Sequence, residues 1–321
     1  LIHSHIYELI EKKVDRIFYP YIVYEHKEDK YAANSYNCPI VAGYSDVLKS
    51  AIDPKHKFGI PIDAPSITFK DEKLLRKNCE NYLRKLGVDE GKIVSAIDAA
   101  LVAQIEYVKE MKSLTHDIFT ENQEKGKLTI LLAGRPYHTD ALVQHKLSEM
   151  IAGLGADVIT EDIVRFDEDI NIREAHAVTQ WTYINRILKA AQWVAAQDKN
   201  VHFVQMTSFG CGPDSFLLDE VSSILKRNGK SLTILKIDDV NNIGSLKLRV
   251  RSLIESLKFD SEIKLQPQPF FTTKPFEIED KKRTILVPFF SEYLSPMIEA
   301  LFSLAGYEIV TLPMSNQSSI D

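Results

Sequence analysis

The 321-residue chain reads as an α/β protein, with Rossmann-like parallel sheets flanked by helices, in two lobes with a helical insertion. Three observations predict this. From Lys127 onward, short apolar runs rich in β-branched residues alternate with longer segments of helical periodicity, the pattern of a parallel sheet covered on both faces. The strand-like runs end in turn residues, as at Gly134 and Gly210. Ahead of that block lie two long stretches of purely helical spacing, which form the insertion.

Composition narrows the function. With 45% hydrophobic and 26% charged residues the chain can bury a sizeable core. A net charge of −6 and a pI of about 5.9 leave no basic footprint, which argues against nucleic acid as a partner. No apolar run approaches the roughly 20 residues of a membrane span, and no signal peptide opens the chain. The expected compartment is the cytoplasm. Three cysteines, Cys38, Cys79 and Cys211, are too few and too far apart for a disulfide framework, so their use, if any, is chemical. The chain opens on Leu1-Ile2-His3, without methionine and already in a helical pattern, and it closes just after an apolar strand. It reads as a segment of something longer.

In order, residues 1–13 carry an amphipathic helix and 14–24 a strand. A polar loop over 25–37 leads to Asn37-Cys38-Pro39, after which Ser45 caps a short helix over 46–51. Pro54, Pro61 and Pro65 make 53–69 extended and irregular. Helices follow over 71–86 and 91–122; Cys79 lies inside the first and packs as a small hydrophobe. This gives an N-terminal α/β segment over 1–126. The Rossmann-like domain over 127–257 then runs strand 128–133, helix 141–154 stopped by Gly155, strand 157–160, helix 173–197, strand 201–206, helix 214–226, strand 232–237 and helix 244–257. A proline-broken linker covers 258–281, and 282–321 begins a further βαβ unit.

Ligands of open parallel sheets bind beyond the carboxyl ends of the strands. Three turns qualify: Gly134-Arg135-Pro136-Tyr137-His138, Thr160-Glu161-Asp162 and Ser208-Phe209-Gly210-Cys211-Gly212. They make Arg135, His138 and Glu161 candidate catalytic residues. Arg135 either binds a phosphate or carboxylate or pins Glu161 or Asp162; His138 acts as acid, base or donor, or is structural. Around Cys211, glycines permit positive φ or close backbone approach, Pro213 suits a first helical turn, and the helix dipole favours a thiolate. That thiol is a nucleophile, a ligand, or an inert filler of a crowded turn. A phosphatase-like loop needs an arginine soon after the cysteine, and none comes before Arg227. Structural zinc needs short-spaced Cys or His pairs, which Cys38 and Cys211 lack. Single cysteines on separate turns suit an iron–sulfur cluster instead. No Gly-rich phosphate loop follows any strand.

Six motifs in order resemble one family. They are Asn37-Cys38-Pro39-Ile40-Val41-Ala42-Gly43-Tyr44, Ala133-Gly134-Arg135-Pro136-Tyr137-His138, Thr160-Glu161-Asp162, Gln180-Trp181-Thr182-Tyr183, Ser208-Phe209-Gly210-Cys211-Gly212-Pro213-Asp214 and Leu235-Lys236-Ile237-Asp238-Asp239. Nearly end to end, the chain is similar to the uncharacterised region of acyl-CoA dehydratase activase-related proteins. In that family the region is joined to an ATP-hydrolysing activase and is similar to 2-hydroxyacyl-CoA dehydratase subunits and double-cubane-cluster reductases. The resemblance implies a 4Fe-4S-type iron–sulfur cluster with Cys38 and Cys211 among its ligands, and low-potential electrons delivered by the activase domain. It assigns no role to Arg135, His138 or Glu161. The family's flanking Cys-Tyr/Phe-Pro-Ala motifs are absent from these 321 residues, so the cluster belongs to the full-length protein. Homodimerisation is left open, as are two other readings: a non-catalytic docking module for the activase, and a thiol enzyme using Cys211.

Overall fold

Pro20 splits the first apolar run in two. After helix α1 (Ile2–Glu11), strands β1 (Ile17–Phe18) and β2 (Tyr21–Ile22) stand on either side of it. Proline has no N–H to give to a ladder, so the single strand expected over 14–24 is two short ones. Helix α2 (Pro39–Ile52) starts straight after Cys38, far ahead of the expected short helix. Pro39 fits the first helical position, where the missing N–H costs nothing. Ser45, expected as a cap, is buried inside the helix.

The stretch expected to be irregular supplies helix α3 (Pro54–Phe58) and strands β3 (Ile62–Asp63) and β4 (Ser66–Ile67). These pair in parallel with β1 and β2, Ile17 opposite Ile62 and Tyr21 opposite Ser66. Pro61 and Pro65 take part through their carbonyls, which accept the Ile17 and Tyr21 N–H groups at 2.9 and 3.0 Å. Ile6, Ile17, Leu48, Ile52 and Ile62 close a small core there. Helix α4 (Glu72–Lys85) is capped by Asp71, which accepts the Leu74 N–H, and α5 (Glu90–Lys125) by Asp89. Cys79 is half-buried in α4, and burial pushes its thiol up, in keeping with a packing role.

The main sheet follows: β5 (Thr129–Ala133), α6 (Leu147–Gly153), β6 (Asp157–Ile159), α7 (Thr182–Ala195), β7 (Val201–Thr207), α8 (Gly212–Arg227), β8 (Leu232–Lys236) and α9 (Ile243–Phe259). Its order is β6-β5-β7-β8, every pair parallel. The two-residue period of a strand sorts its side chains. Leu131, Ala133 and Phe203 join the core under α7 and α8, with Leu188 and Val221. Ile130, Leu132 and Val204 join the core under α6 and α9, with Ile151 and Val250. Helices thus cover both faces, as the run of apolar strands requires.

The computed structural model describes residues 2–140, 143–173, 175, 179–208, 210–237, 243–259 and 276–319. Two expected helices shorten within it. The one expected over 141–154 is helical only from Leu147, because His145 and Lys146 adopt positive φ just before it; Ala141 and Leu142 lie outside the described residues. The one expected over 173–197 begins at Thr182, with Trp181 extended ahead of it; residues 174 and 176–178 lie outside the described residues. So do Asp238, Asp239 and linker residues 260–275.

Compact units divide at Leu1–Pro269 and Phe270–Asp321. The second holds β9 (Ile285–Val287), α10 (Leu294–Leu304) and β10 (Ile309–Thr311), one parallel βαβ unit in which Gly306, at φ +83°, ends the helix. Among the described residues, no helix is long and apolar enough to cross a membrane.

Candidate functional site

Strand β5 continues through α6 to β6 on one side, while β7 continues through α8 to β8 on the other, and α6 and α8 cover opposite faces. The chain therefore diverges at the carboxyl ends of β5 and β7, the place where an open α/β sheet leaves a crevice. Two of the three sequence-predicted turns lie there.

The first turn is organised by a histidine. A short 3-10 helix, Pro136–Thr139, folds His138 back so that its Nδ1 accepts the Arg135 N–H at 2.9 Å. The proton then sits on Nε2, which donates to Ser208 Oγ at 2.7 Å, tying the end of β5 to the end of β7. Burial pulls the imidazole down to about 4, with Asp214 opposing and Arg135 adding to the shift. His138 is thus a neutral brace with both nitrogens engaged, and of the roles open to it the structural donor fits. Gly134 makes room: a Cβ there would stand 2.7 Å from His138 Nδ1 and 3.0 Å from Met206 Cε.

Arg135 does not pin Glu161 or Asp162. Its guanidinium pairs with Asp214 in the first turn of α8, and both side chains are mostly buried, at 14% and 6% exposure. Asp214 also accepts from Thr207 Oγ1 at 3.4 Å, at the end of β7. The carboxylate is where a helix start favours one.

Cys211 occupies the residue just ahead of α8 and Cys38 the one just ahead of α2, neither side chain bonding a helix N–H and each followed by a proline in the first turn. Both are half-buried free thiols. Burial pushes the Tyr137 hydroxyl, in the first turn, up to about 12, with smaller electrostatic contributions from Arg135, which lowers it, and from Asp214, Cys211 and Cys38, which raise it. The segment ahead of Cys38 is tied to the start of α7. The Ala33 and Tyr36 N–H groups donate to the Thr179 and Gln180 carbonyls, and Thr182 N–H returns to the Tyr36 carbonyl. Tyr36 bridges Trp181 at the start of α7. Gly210 and Gly212 have no positive φ and no close neighbour; an added Cβ at either meets open space. The tight-backbone reason expected for them is replaced by openness on both sides of Cys211. Phe209 lies outside the described residues.

The third turn turns elsewhere. Glu161 is buried at the end of β6 and accepts the Gly134 N–H and its own; burial pushes its carboxyl up to about 7 against the pull of Arg186. Arg186 and Arg165 both clasp Glu28, at 2.6 and 3.0 Å, with all three side chains mostly buried. Asp162 caps locally with Thr160 and faces Arg165 at 3.8 Å. Arg135, His138, Ser208 and Asp214 therefore meet at the ends of β5 and β7, with Cys211 at the start of the helix that carries Asp214, while Glu161 reaches the same turn only through the Gly134 backbone.

Sequence reasoning missed Asp214, Ser208, Tyr137 and Glu28 as partners. Only Asp214 carried a signal, as an acid in a first helical turn. Among the described residues no three His, Cys, Asp or Glu side chains converge on one metal position.

A comparison with curated proteins finds no match. A family profile described as the CoA enzyme activase uncharacterised domain matches residues 1–164, which takes in Cys38, Arg135, His138 and Glu161 and ends before Cys211. That is just over half of the 321 residues, so the chain belongs to the CoA enzyme activase uncharacterised-domain family.

Proposed function

We propose that this region is part of an iron–sulfur redox module of the 2-hydroxyacyl-CoA dehydratase or double-cubane reductase kind, served by an ATP-hydrolysing activase, with Cys38 and Cys211 as two thiolate ligands of a 4Fe-4S-type cluster. The observation that carries this is the placement of both cysteines at helix starts although they stand 173 positions apart in the chain (211 minus 38): Cys211 directly behind the end of β7, and Cys38 directly after a segment whose Ala33 and Tyr36 N–H groups bond the carbonyls of Thr179 and Gln180 ahead of α7. Thiolates are the ligand type such clusters take, and spacing is free when the fold joins the turns. Open space beside Gly210 and Gly212 leaves room for a group larger than the thiol. Helix starts behind both cysteines suit a negatively charged ligand set.

When bound, such a cluster supplies one-electron transfer at low potential. The chain's own residues hold the frame. Arg135, fixed by Asp214, sets a positive charge beside Tyr137, and His138 fixes Ser208 without taking a proton at neutral pH. The family description, a CoA enzyme activase domain, supports an activase partner.

The test is anaerobic reconstitution with iron and sulfide, on the 321-residue chain and on the chain joined to the flanking cysteine motifs of its family. Visible and EPR spectra should show a cluster in the longer protein, lost or altered by Cys38→Ala and by Cys211→Ala but not by Cys79→Ala. A longer protein with no cluster, or with one indifferent to both substitutions, overturns the reading.

A further inference from the structure

Helix α5 stands away from the core for much of its length: of its 36 residues, only Ile93, Ile97, Val108, Thr115 and Asn122 are buried. Beside it a cavity of about 1080 Å³ opens between α4, α5 and the loops carrying His26, Phe69 and Phe166. None of its lining residues belongs to the Cys38 and Cys211 site. The volume is that of a small-molecule pocket.

Its walls are apolar on one side and cationic on another. Leu101, Ile105 and Val108 lie on one face of α5 by helical spacing, with Leu75 of α4 opposite. Ile105 is 55% exposed, an isoleucine left facing the opening. Phe166 forms the aromatic wall. It sits at φ +54°, a conformation in which a bulky side chain is strained. Its ring rests against His26, at 5.4 Å between centroids, and lies under the Arg165 guanidinium.

The lining cations are only partly neutralised. Arg165 is paired with Glu28, and Arg76 with both Glu72 and Asp98. Three lysines are not. Lys112 donates to the Arg165 carbonyl, Lys70 to Asn34 while lying over the Tyr24 ring, and Lys109 enters no ion pair among the described residues. The lining carboxylate left over is Glu25, which accepts from Asn37. The cavity is thus an apolar floor with an excess of positive charge.

We propose that this cavity binds an amphipathic anion, an acyl-type apolar chain lying on Leu101, Ile105 and Val108 against Phe166, with a carboxylate or phosphate terminus met by Lys109 and Lys112. The proposal is independent of any cluster. The probe is a dansyl-labelled undecanoate, followed by its fluorescence and displaced by decanoate, decyl phosphate, decanol or decylamine. Saturable binding is expected, with displacement by decanoate or decyl phosphate at least about tenfold better than by decanol or decylamine. The better of the two anions identifies the terminus. Ile105→Asp, and Lys109→Glu with Lys112→Glu, should each weaken binding by about tenfold or more. Val94→Asp changes an exposed α5 valine outside the cavity and should bind as the unmodified protein does. Circular dichroism and the unfolding midpoint check that each variant is folded. No saturable binding, displacement by decanol equal to that by decanoate, or a folded Ile105→Asp that binds as before overturns the proposal.

Discussion

Arg135 at the end of β5 and Asp214 in the first turn of α8 form a mostly buried ion pair across the mouth of the main sheet. Removing one partner strands the other charge away from water. Asp214→Ala should therefore destabilise the protein by about 3–5 kcal/mol, the usual cost of a broken buried pair. The double change Arg135→Met with Asp214→Leu strands no charge and should cost less than Asp214→Ala alone. Urea unfolding of the three proteins measures both.

Gly134 is held to glycine by the His138 ring, which an alanine Cβ would meet at 2.7 Å. Gly134→Ala should cost roughly 1–3 kcal/mol, the range for overpacking. A His138→Ala background removes the 2.7 Å contact with Nδ1 and leaves the Cβ of residue 138 and Met206 Cε, each at 3.0 Å, so the two substitutions should be less than additive in a double-mutant cycle. Full additivity would mean that the ring is not what excludes the side chain.

Glu161 gives a pH dependence of known sign. Its carboxyl is raised from 4.5 to about 7, so the folded chain holds the proton more tightly than the unfolded chain in that window. The associated stability is complete below 4.5 and is lost as pH rises through about 7. Glu161→Gln keeps an acceptor for the Gly134 N–H and removes the charge. It should match the unmodified protein near about pH 4 and exceed it by about 3 kcal/mol near about pH 8. His138 shifts in the opposite direction, but it is present in both proteins and drops out of the difference.

The parallel sheet was legible because its strands are buried on both faces and read as unbroken apolar runs, as in Thr129–Ala133 and Val201–Thr207. Strand ends marked the crevice, and that is what made Arg135, His138 and Cys211 candidates. The N-terminal strands were not legible, since two-residue pairings leave no period to detect. The start of α2 was hidden because Pro39 reads as a breaker when it is in fact a first-turn residue. Long-range partners carry no local mark: Glu28 meets Arg186 across 158 positions, and Arg135 meets Asp214 across 79. The docking of the segment ahead of Cys38 onto the start of α7 depends on the pairing of Tyr36 with Trp181, which no spacing foretells.

The central claim is that Cys38 and Cys211 face one site. Phenylarsine oxide bridges two thiols only when they lie within reach of a single arsenic atom. Mass spectrometry of the reduced, metal-free protein is predicted to show one adduct joining the peptides of Cys38 and Cys211, lost in either alanine variant and retained in Cys79→Ala. A reduced protein that takes up no arsenical, or one that bridges Cys79 instead, would contradict the account.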